Sequence, residues 1–457
     1  MNYSRFLNAA RRLLMLSALV FAFASVASAE WKEKVLYSFQ GLPNDGAYPA
    51  GGVVFDQAGN LYGATTDGGA NNCPGIAQCG TVFQLEPPAK KGQPWTENLL
   101  HVFKGVNSND GNTPVGGVIF DQAGNLYGTT AYGGTGNCML FGGRVGCGTV
   151  YKLVPPKRRG GAWTETVLHS FQSGEDGYFP WGSLTFDSAG NLYGATQYGG
   201  GYGSCNAPYY QFCGTVFKLS PPGAKGGKWK EQVLYAFKSG KKGANPNGGL
   251  VLDDTGTIYG TTFYGGVGNC SSDAGVGCGI VFDLKSTKKA SGQWTATVLH
   301  SFLGGAEDTN TPDSGLVLDK SGNLYGTTFG GENSGGDDGS VFKLTRPSKT
   351  GGAWREALLQ KFQTCNVQYG CHPSGLVLGA NGDLYVIAGV VFRMTPPTQK
   401  GKHWTLSLLY KFTGVPDGDD PVGLILSGTD SIYGATLYGG TGQACQGGCG
   451  TIFEVWP

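Results

Sequence analysis

The chain has 457 residues, 81 of them Gly and 22 Pro, with 14% charged and 12% aromatic. That balance excludes a protein of long helices and a highly charged disordered chain, and it is the composition of a turn-rich all-β protein. With 33 Lys and Arg against 32 Asp and Glu the formal charge is +1, so net charge points to no polyanionic partner.

The N-terminus carries Arg5, Arg11 and Arg12, then an apolar run over 13–26, then Ala27-Ser28-Ala29 before Glu30. This is the layout of a secretory signal, and cleavage is expected after Ala29. The run is shorter than the ~20 residues of a spanning helix, so no membrane span is expected. No Cys sits at the cleavage point to take a lipid. The chain from 30 to 457 is therefore read as secreted, in the periplasm, at the cell surface or outside the cell.

From there the sequence repeats. Trp31, Trp95, Trp163, Trp229, Trp294, Trp354 and Trp404 are each followed eight residues later by Phe39, Phe103, Phe171, Phe237, Phe302, Phe362 and Phe412. A Pro follows in every copy (Pro49, Pro114, Pro180, Pro246, Pro312, Pro373, Pro421), then an apolar stretch such as Gly52-Val53-Val54-Phe55. Next comes a segment centred on Tyr62, Tyr127, Tyr193, Tyr259, Tyr325, Tyr385 or Tyr433, and each unit ends in a segment like Gly80-Thr81-Val82-Phe83. These are four short strands per unit, too few to bury both faces alone. Radial stacking of such units gives a β-propeller. The expected fold is all-β: one domain over 30–457, a seven-bladed β-propeller of four-stranded antiparallel blades.

Strand order follows from bulk. The stretch after Pro opens with Gly pairs such as Gly51-Gly52 and Gly116-Gly117, which suit the crowded axis, so it is predicted innermost. The Tyr and Val-Phe segments lie outward, and the Trp-to-Phe segment forms the outer strand of the preceding blade. Residues 31–39 are then expected beside 451–455, closing the ring and removing two sheet edges. The turns 56–60, 121–125 and 187–191 read as structural hairpins, with Gly at positive φ and Asp bonding the following amides. A calcium loop would need oxygen ligands that Gln57 and Ala58 do not supply.

Twelve Cys fall as close neighbours: Cys73/Cys79, Cys138/Cys147, Cys205/Cys213, Cys270/Cys278, Cys365/Cys371 and Cys445/Cys449. An even count, an export signal and local pairing favour six short-range disulfides. Zinc is the rival, but no His accompanies the pairs, so neither metal nor cofactor is expected.

The repeated Trp-x-x-x-x-Leu-x-x-Phe, Asp-x-x-Gly-Asn-Leu-Tyr-Gly-x-Thr, Gly-Gly and Gly-Thr-Val-Phe order resembles the GloVer tandem repeat, over essentially all of 31–457. The resemblance implies an exported bacterial protein, often with a C-terminal anchoring signal, and no established activity. This chain departs from that pattern by ending in a strand at 453–457 with no apolar tail. The Asp-x-x-Gly-Asn-Leu-Tyr portion is also similar to the NHL-type propeller repeat.

With this phasing one face, the top, holds the loops from outer to inner strand and between the middle strands. It carries Asp45, Asp110, Asp176, Asp308 and Asp417 and the cysteine loops, while basic linkers lie below. Tyr132, Tyr198, Tyr264 and Tyr438 occupy matching Tyr-Gly-Gly positions, with Asp67 in the first copy, and Trp181 stands where an inner strand begins. Rings beside Asp side chains suit sugars, so a non-enzymatic module binding a glycan or surface protein through Trp181, these Tyr, Asp110, Asp176 and Asp417 is the leading expectation. The alternative is that the Tyr pack between loops and Trp181 plugs the mouth. Copy six loses its middle loop at 385–390, which predicts a notch in the rim.

Catalytic signals are sparse. His101, His169 and His300 recur six residues after a repeat Trp and read as structural. No Gly-x-Ser-x-Gly, His-Glu-x-x-His or phosphate loop occurs. A polysaccharide-cleaving enzyme would use His372, the one His on a top loop, with a carboxylate, yet catalysis needs one unequal acid pair rather than a repeated acid. A structural envelope module is a further alternative. The scattered Lys and Arg read as a solvated rim, not a nucleic-acid surface, and a monomer is expected.

Overall fold

The repeat's alternation of apolar and polar residues makes each unit a sheet with two faces to cover, and neighbouring units cover them. The computed structural model describes residues 30–69, 79–140, 142–158, 160–201, 213–224, 226–272, 275–288, 292–305, 308, 310–330, 337–349, 351–363, 372–399, 401–428 and 431–457. The signal segment read over 1–29 lies outside them.

Blade 1 runs outward as Gly46–Phe55, Leu61–Gly68, Thr81–Glu86 and Thr96–Val102, all antiparallel. Six further sheets repeat this order, so the protein is a seven-bladed propeller of four-stranded blades, as the sequence predicts. Blade 7 takes its outer strand from the other end of the chain. Lys32–Ser38 pairs with Thr451–Trp456, from Lys32 opposite Trp456 to Ser38 opposite Thr451. Blade 7 also packs on blade 1 at the axis, where Gly423 meets Gly51 and Gly52. The ring is closed.

The spacing of the signature aromatics has a mechanical cause. Two residues eight apart share a face in a regular strand. Every outer strand, however, carries a one-residue bulge at the Leu of Trp-x-x-x-x-Leu: in blade 1, Leu99 and His101 pair with Phe83 and Val82, and Leu100 is the extra residue. The bulge inverts the alternation beyond it. Trp therefore turns to the preceding blade and Phe to the following one. Trp163 of blade 2 meets Tyr62 of blade 1 at 6.2 Å between ring centroids, and Phe171 meets Phe217 of blade 3 edge-on at 5.2 Å. The same Leu is skipped at 36, 168, 234, 299, 359 and 409.

The hairpin acids are structural. Asp187 accepts hydrogen bonds from the amides of Ala189 and Asn191, the Asn191 side chain and the Tyr193 hydroxyl. Asp56, Asp121 and Asp319 repeat the set. Copy six departs: Gly379 replaces the acid, and Asp383 pairs with Arg393 at 2.6 Å.

At the axis the inner strands crowd as expected. A Cβ on Gly51 would lie 2.1 Å from the Gly117 nitrogen, and Gly51 has φ +75°. The crowding also breaks these strands, which the sequence did not predict. In blade 3 the inner strand is two pieces, Tyr178–Pro180 and Thr185–Phe186, both pairing with Leu192–Tyr198.

No helix among the described residues is long and apolar enough to cross a membrane.

Candidate functional site

The mouth of the channel is built by one backbone device used seven times. The residue before each repeat Pro is left-handed: Tyr48, Thr113, Phe179, Asn245, Thr311, His372 and Asp420 have φ between 53° and 62°. Pre-proline residues disfavour the helical region, and left-handed non-Gly residues are uncommon, so tertiary contacts hold them. In five copies the amide of this residue (Tyr48, Thr113, Phe179, Asn245, Thr311) donates to the carbonyl of a Cys in the preceding blade: Cys449, Cys79, Cys147, Cys213 and Cys278. The latch swings the chain over the rim and sets the residue after Pro at the channel.

Those seven positions are Ala50, Val115, Trp181, Asn247, Asp313, Ser374 and Val422. Their chemistry changes from copy to copy, from Ala and Val to Trp, Asn, Asp and Ser. Ala50, Val115 and Val422 belong to adjacent blades and form an apolar arc; Trp181, Asn247, Asp313 and Ser374 fill the other four blades. All but Ala50 line an axial cavity of about 490 Å³, together with the axial glycines. That volume is in the range of small-molecule sites, ~300–1,000 Å³.

The polar arc is ordered by hydrogen bonds between blades. The Gln197 amide donates to Asn247 Oδ1, and Asn247 Nδ2 donates to Asp313 Oδ1. Burial raises the Asp313 pKa above the ordinary carboxylate value, and the Asn247 hydrogen bond opposes that rise. Trp181 is 38% exposed at the rim.

The other residues singled out from the sequence fall outside this ring. Tyr132 packs edge-on against Phe179 of the next blade at 4.9 Å, and Tyr198 lies against Tyr178 and Phe179. Tyr264 packs on Phe263, and Tyr438, 42% exposed, on Tyr48. Asp110, Asp176 and Asp417 anchor their own loops: Asp110 accepts the amides of Lys104 and Gly111, Asp176 that of Gln172, and Asp417 the Thr413 amide and the Tyr410 hydroxyl. His101, His169 and His300 face Asp110, Asp176 and Asp308 at 3.2, 2.9 and 3.4 Å, which explains their recurrence. His372 stacks on Phe329 at 4.2 Å between centroids, its Nδ1 2.9 Å from the Phe329 carbonyl.

Disulfides join Cys138 to Cys147, Cys270 to Cys278 and Cys445 to Cys449. Cys79 and Cys213 are also disulfide-bonded; Cys73, Cys205, Cys365 and Cys371 lie outside the described residues. The staples brace the rim: a Cβ on Gly41 would lie 2.9 Å from Cys449 Sγ.

One constellation escaped the sequence reading. Two residues after the repeat Trp stand Glu33, Glu97, Glu165, Glu231 and Glu356. Each faces a loop acid of the preceding blade, Asp417, Asp45, Asp110, Asp176 and Asp308 respectively. Oε1 of Glu33, Glu97, Glu165 and Glu231 is buried without a hydrogen-bond partner among the described residues. Burial first, and the facing Asp second, push Glu97 up to about 8; Glu33, Glu165 and Glu231 rise to about 7 for the same reasons. The two elements vary together. Copy four has Lys242 in place of the loop acid and copy six has no acid between Phe362 and Pro373, and the following copies carry Ala296 and Leu406 in place of Glu. The signal was legible in the sequence as paired presence and absence.

Among solved structures the chain is similar to virginiamycin B lyase from Staphylococcus aureus, with TM-score 0.50 and 13% identity over 94% of this chain and 100% of that one. A streptogramin B lyase matches with TM-score 0.49 and 14% identity over 93% and 97%. The PQQ-bound aldose sugar dehydrogenase from Streptomyces coelicolor matches with TM-score 0.42 and 14% identity over 94% and 98%. At these identities the likeness is one of fold. No curated protein matches the chain by sequence. Residues 202–399 match the Gloeobacter/Verrucomicrobia repeat. Over those residues the chain carries the GloVer-type repeat, and the same four-strand unit runs seven times round the ring.

Proposed function

We propose that this protein is exported by its segment 1–29 and acts outside the cytoplasm as a single-domain, monomeric, non-enzymatic module that binds a carbohydrate at the channel mouth. The observation that carries the reading is the asymmetry of the axial ring: an exposed indole at Trp181 and, beside it, a hydrogen-bonding arc from Gln197 through Asn247 to Asp313 and Ser374. A sugar ring offers an apolar face to an aromatic plane and hydroxyls at its edge to amides and carboxylates. The change of chemistry at these positions, in units whose Trp, Phe, Pro and Tyr recur in every copy, fits a scaffold whose function lies in a few grafted side chains. Asp110, Asp176 and Asp417 enter this reading as anchors of the loops that frame the mouth.

The test is a glycan array probed with the wild-type protein and with Trp181→Ala. Retention of at least one glycan class by the wild type, lost in the variant, is the expected result. No bound glycan refutes the reading, and release of reducing ends from a bound polysaccharide would replace it with a cleaving enzyme.

A further inference from the structure

Among the described residues that line the channel cavity, Asp313 is the single ionisable side chain. Among the described residues no Lys, Arg or His lines it, so none of them offsets the carboxylate charge. Among the described residues Asp313 receives one side-chain hydrogen bond, from Asn247, and takes part in no ion pair. A carboxylate has about four lone-pair positions, so one donor leaves most of its acceptor capacity for a ligand. Asn247 is itself oriented by Gln197, which commits its amide nitrogen to Asp313 and keeps the carboxylate an acceptor. Two blades away the same cavity is lined by Trp181, 38% exposed, whose ring quadrupole attracts a cation and whose plane can stack on a sugar.

Resting on the carbohydrate reading above, we propose that the unit seated at the mouth is an amino sugar whose protonated amine is taken by Asp313 and whose ring lies on Trp181. An ammonium brings three donors and one positive charge. Asp313 supplies the opposite charge, and Ser374 on the adjacent blade supplies a hydroxyl at the same rim. A neutral or N-acetylated sugar would leave the Asp313 charge uncompensated in a partly desolvated site, and an acidic sugar would be repelled. The apolar side chains of Val115 and Val422 line the rest of the cavity without competing for the amine. Burial raises the Asp313 pKa, and a bound ammonium would oppose that rise.

The experiment is calorimetric titration of the full secreted chain with three hexamers of one linkage: β-1,4-glucosamine, its fully N-acetylated form, and β-1,4-glucose. The wild type is expected to bind the glucosamine hexamer at least tenfold more tightly than the other two. Asp313→Asn is expected to remove that advantage, and Trp181→Ala to weaken all three. If Asp313→Asn fails to fold, the wild type alone decides: its preference should vanish at a pH where the amine is uncharged. Equal binding of all three hexamers by the wild type, or an unchanged preference in Asp313→Asn, overturns this inference and leaves the carbohydrate reading standing. No binding of any hexamer, with no glycan held on the array, overturns both.

Discussion

Replacing Glu97 by Gln should make the protein more stable at alkaline pH and leave it unchanged in acid. Glu97 rises from blade 1 toward Asp45 and Tyr37 of the neighbouring unit, its Oε1 buried without a partner among the described residues, and its pKa is pushed from an ordinary 4.5 up to about 8, by burial first and Asp45 second. A folded-state pKa above the unfolded one means that the folded protein binds the extra proton. The stability this provides is complete below about pH 4.5 and is lost as pH rises through 8. A shift of that size corresponds to a few kcal/mol before solvent screening, and to about 2 kcal/mol after it for a half-buried group. Gln keeps the shape and stays neutral. Glu97→Gln should therefore match the wild type within about 0.5 kcal/mol at pH 4.5 and exceed it by about 2 kcal/mol at pH 9, a gain of roughly 2 °C in Tm for a chain of this length. Scanning calorimetry of both proteins across pH 4.5–9 reads the difference. A difference that stays constant over that range would refute the reasoning, as would a variant less stable than the wild type at pH 9.

Other substitutions probe other parts of the ring. Gly51→Val should cost at least ~3 kcal/mol by chemical denaturation, because its Cβ would lie 2.1 Å from the Gly117 nitrogen at φ +75°. Gly59→Ala, at φ +84° with open space around it, should cost only about 1 kcal/mol. Asp187→Ala removes the acceptor of four hydrogen bonds and should lower stability by about 2 kcal/mol at neutral pH, with the loss shrinking below pH ~4 because the folded-state pKa of Asp187 is depressed. Cys138→Ser with Cys147→Ser, opening a bridge across nine positions, should cost about 2–3 kcal/mol in non-reducing buffer.

The blades were legible because every unit must solve the same burial problem with the same residues. The Trp and Phe of each outer strand, the Tyr of the second and the Val-Phe of the third recur at fixed intervals, and the strand order followed from the bulk of Gly51-Gly52 against its neighbours. What the spacing did not disclose was the bulge at Leu36, Leu100 and their equivalents. Its effect, sending Trp and Phe to opposite blades, depends on register rather than composition. The mouth was only half visible. Trp181 stood out as an unusual ring, whereas Asn247 and Asp313 are ordinary polar residues whose meaning comes from facing one another across blades. Asp110, Asp176 and Asp417 drew attention as a repeated acid, and repetition is itself the mark of a part every blade needs. The five Glu that face such acids were missed because each lies in the next unit, and only a comparison of copies shows that Ala296 and Leu406 follow the two loops without an acid.

The most direct measurement is a crystal structure of the chain grown with the β-1,4-glucosamine hexamer. The account predicts a sugar ring stacked on Trp181 with a nitrogen within hydrogen-bonding distance of Asp313. Ligand density confined to the outer rim or the basic linker face, with the axial cavity holding none of it, would contradict the account.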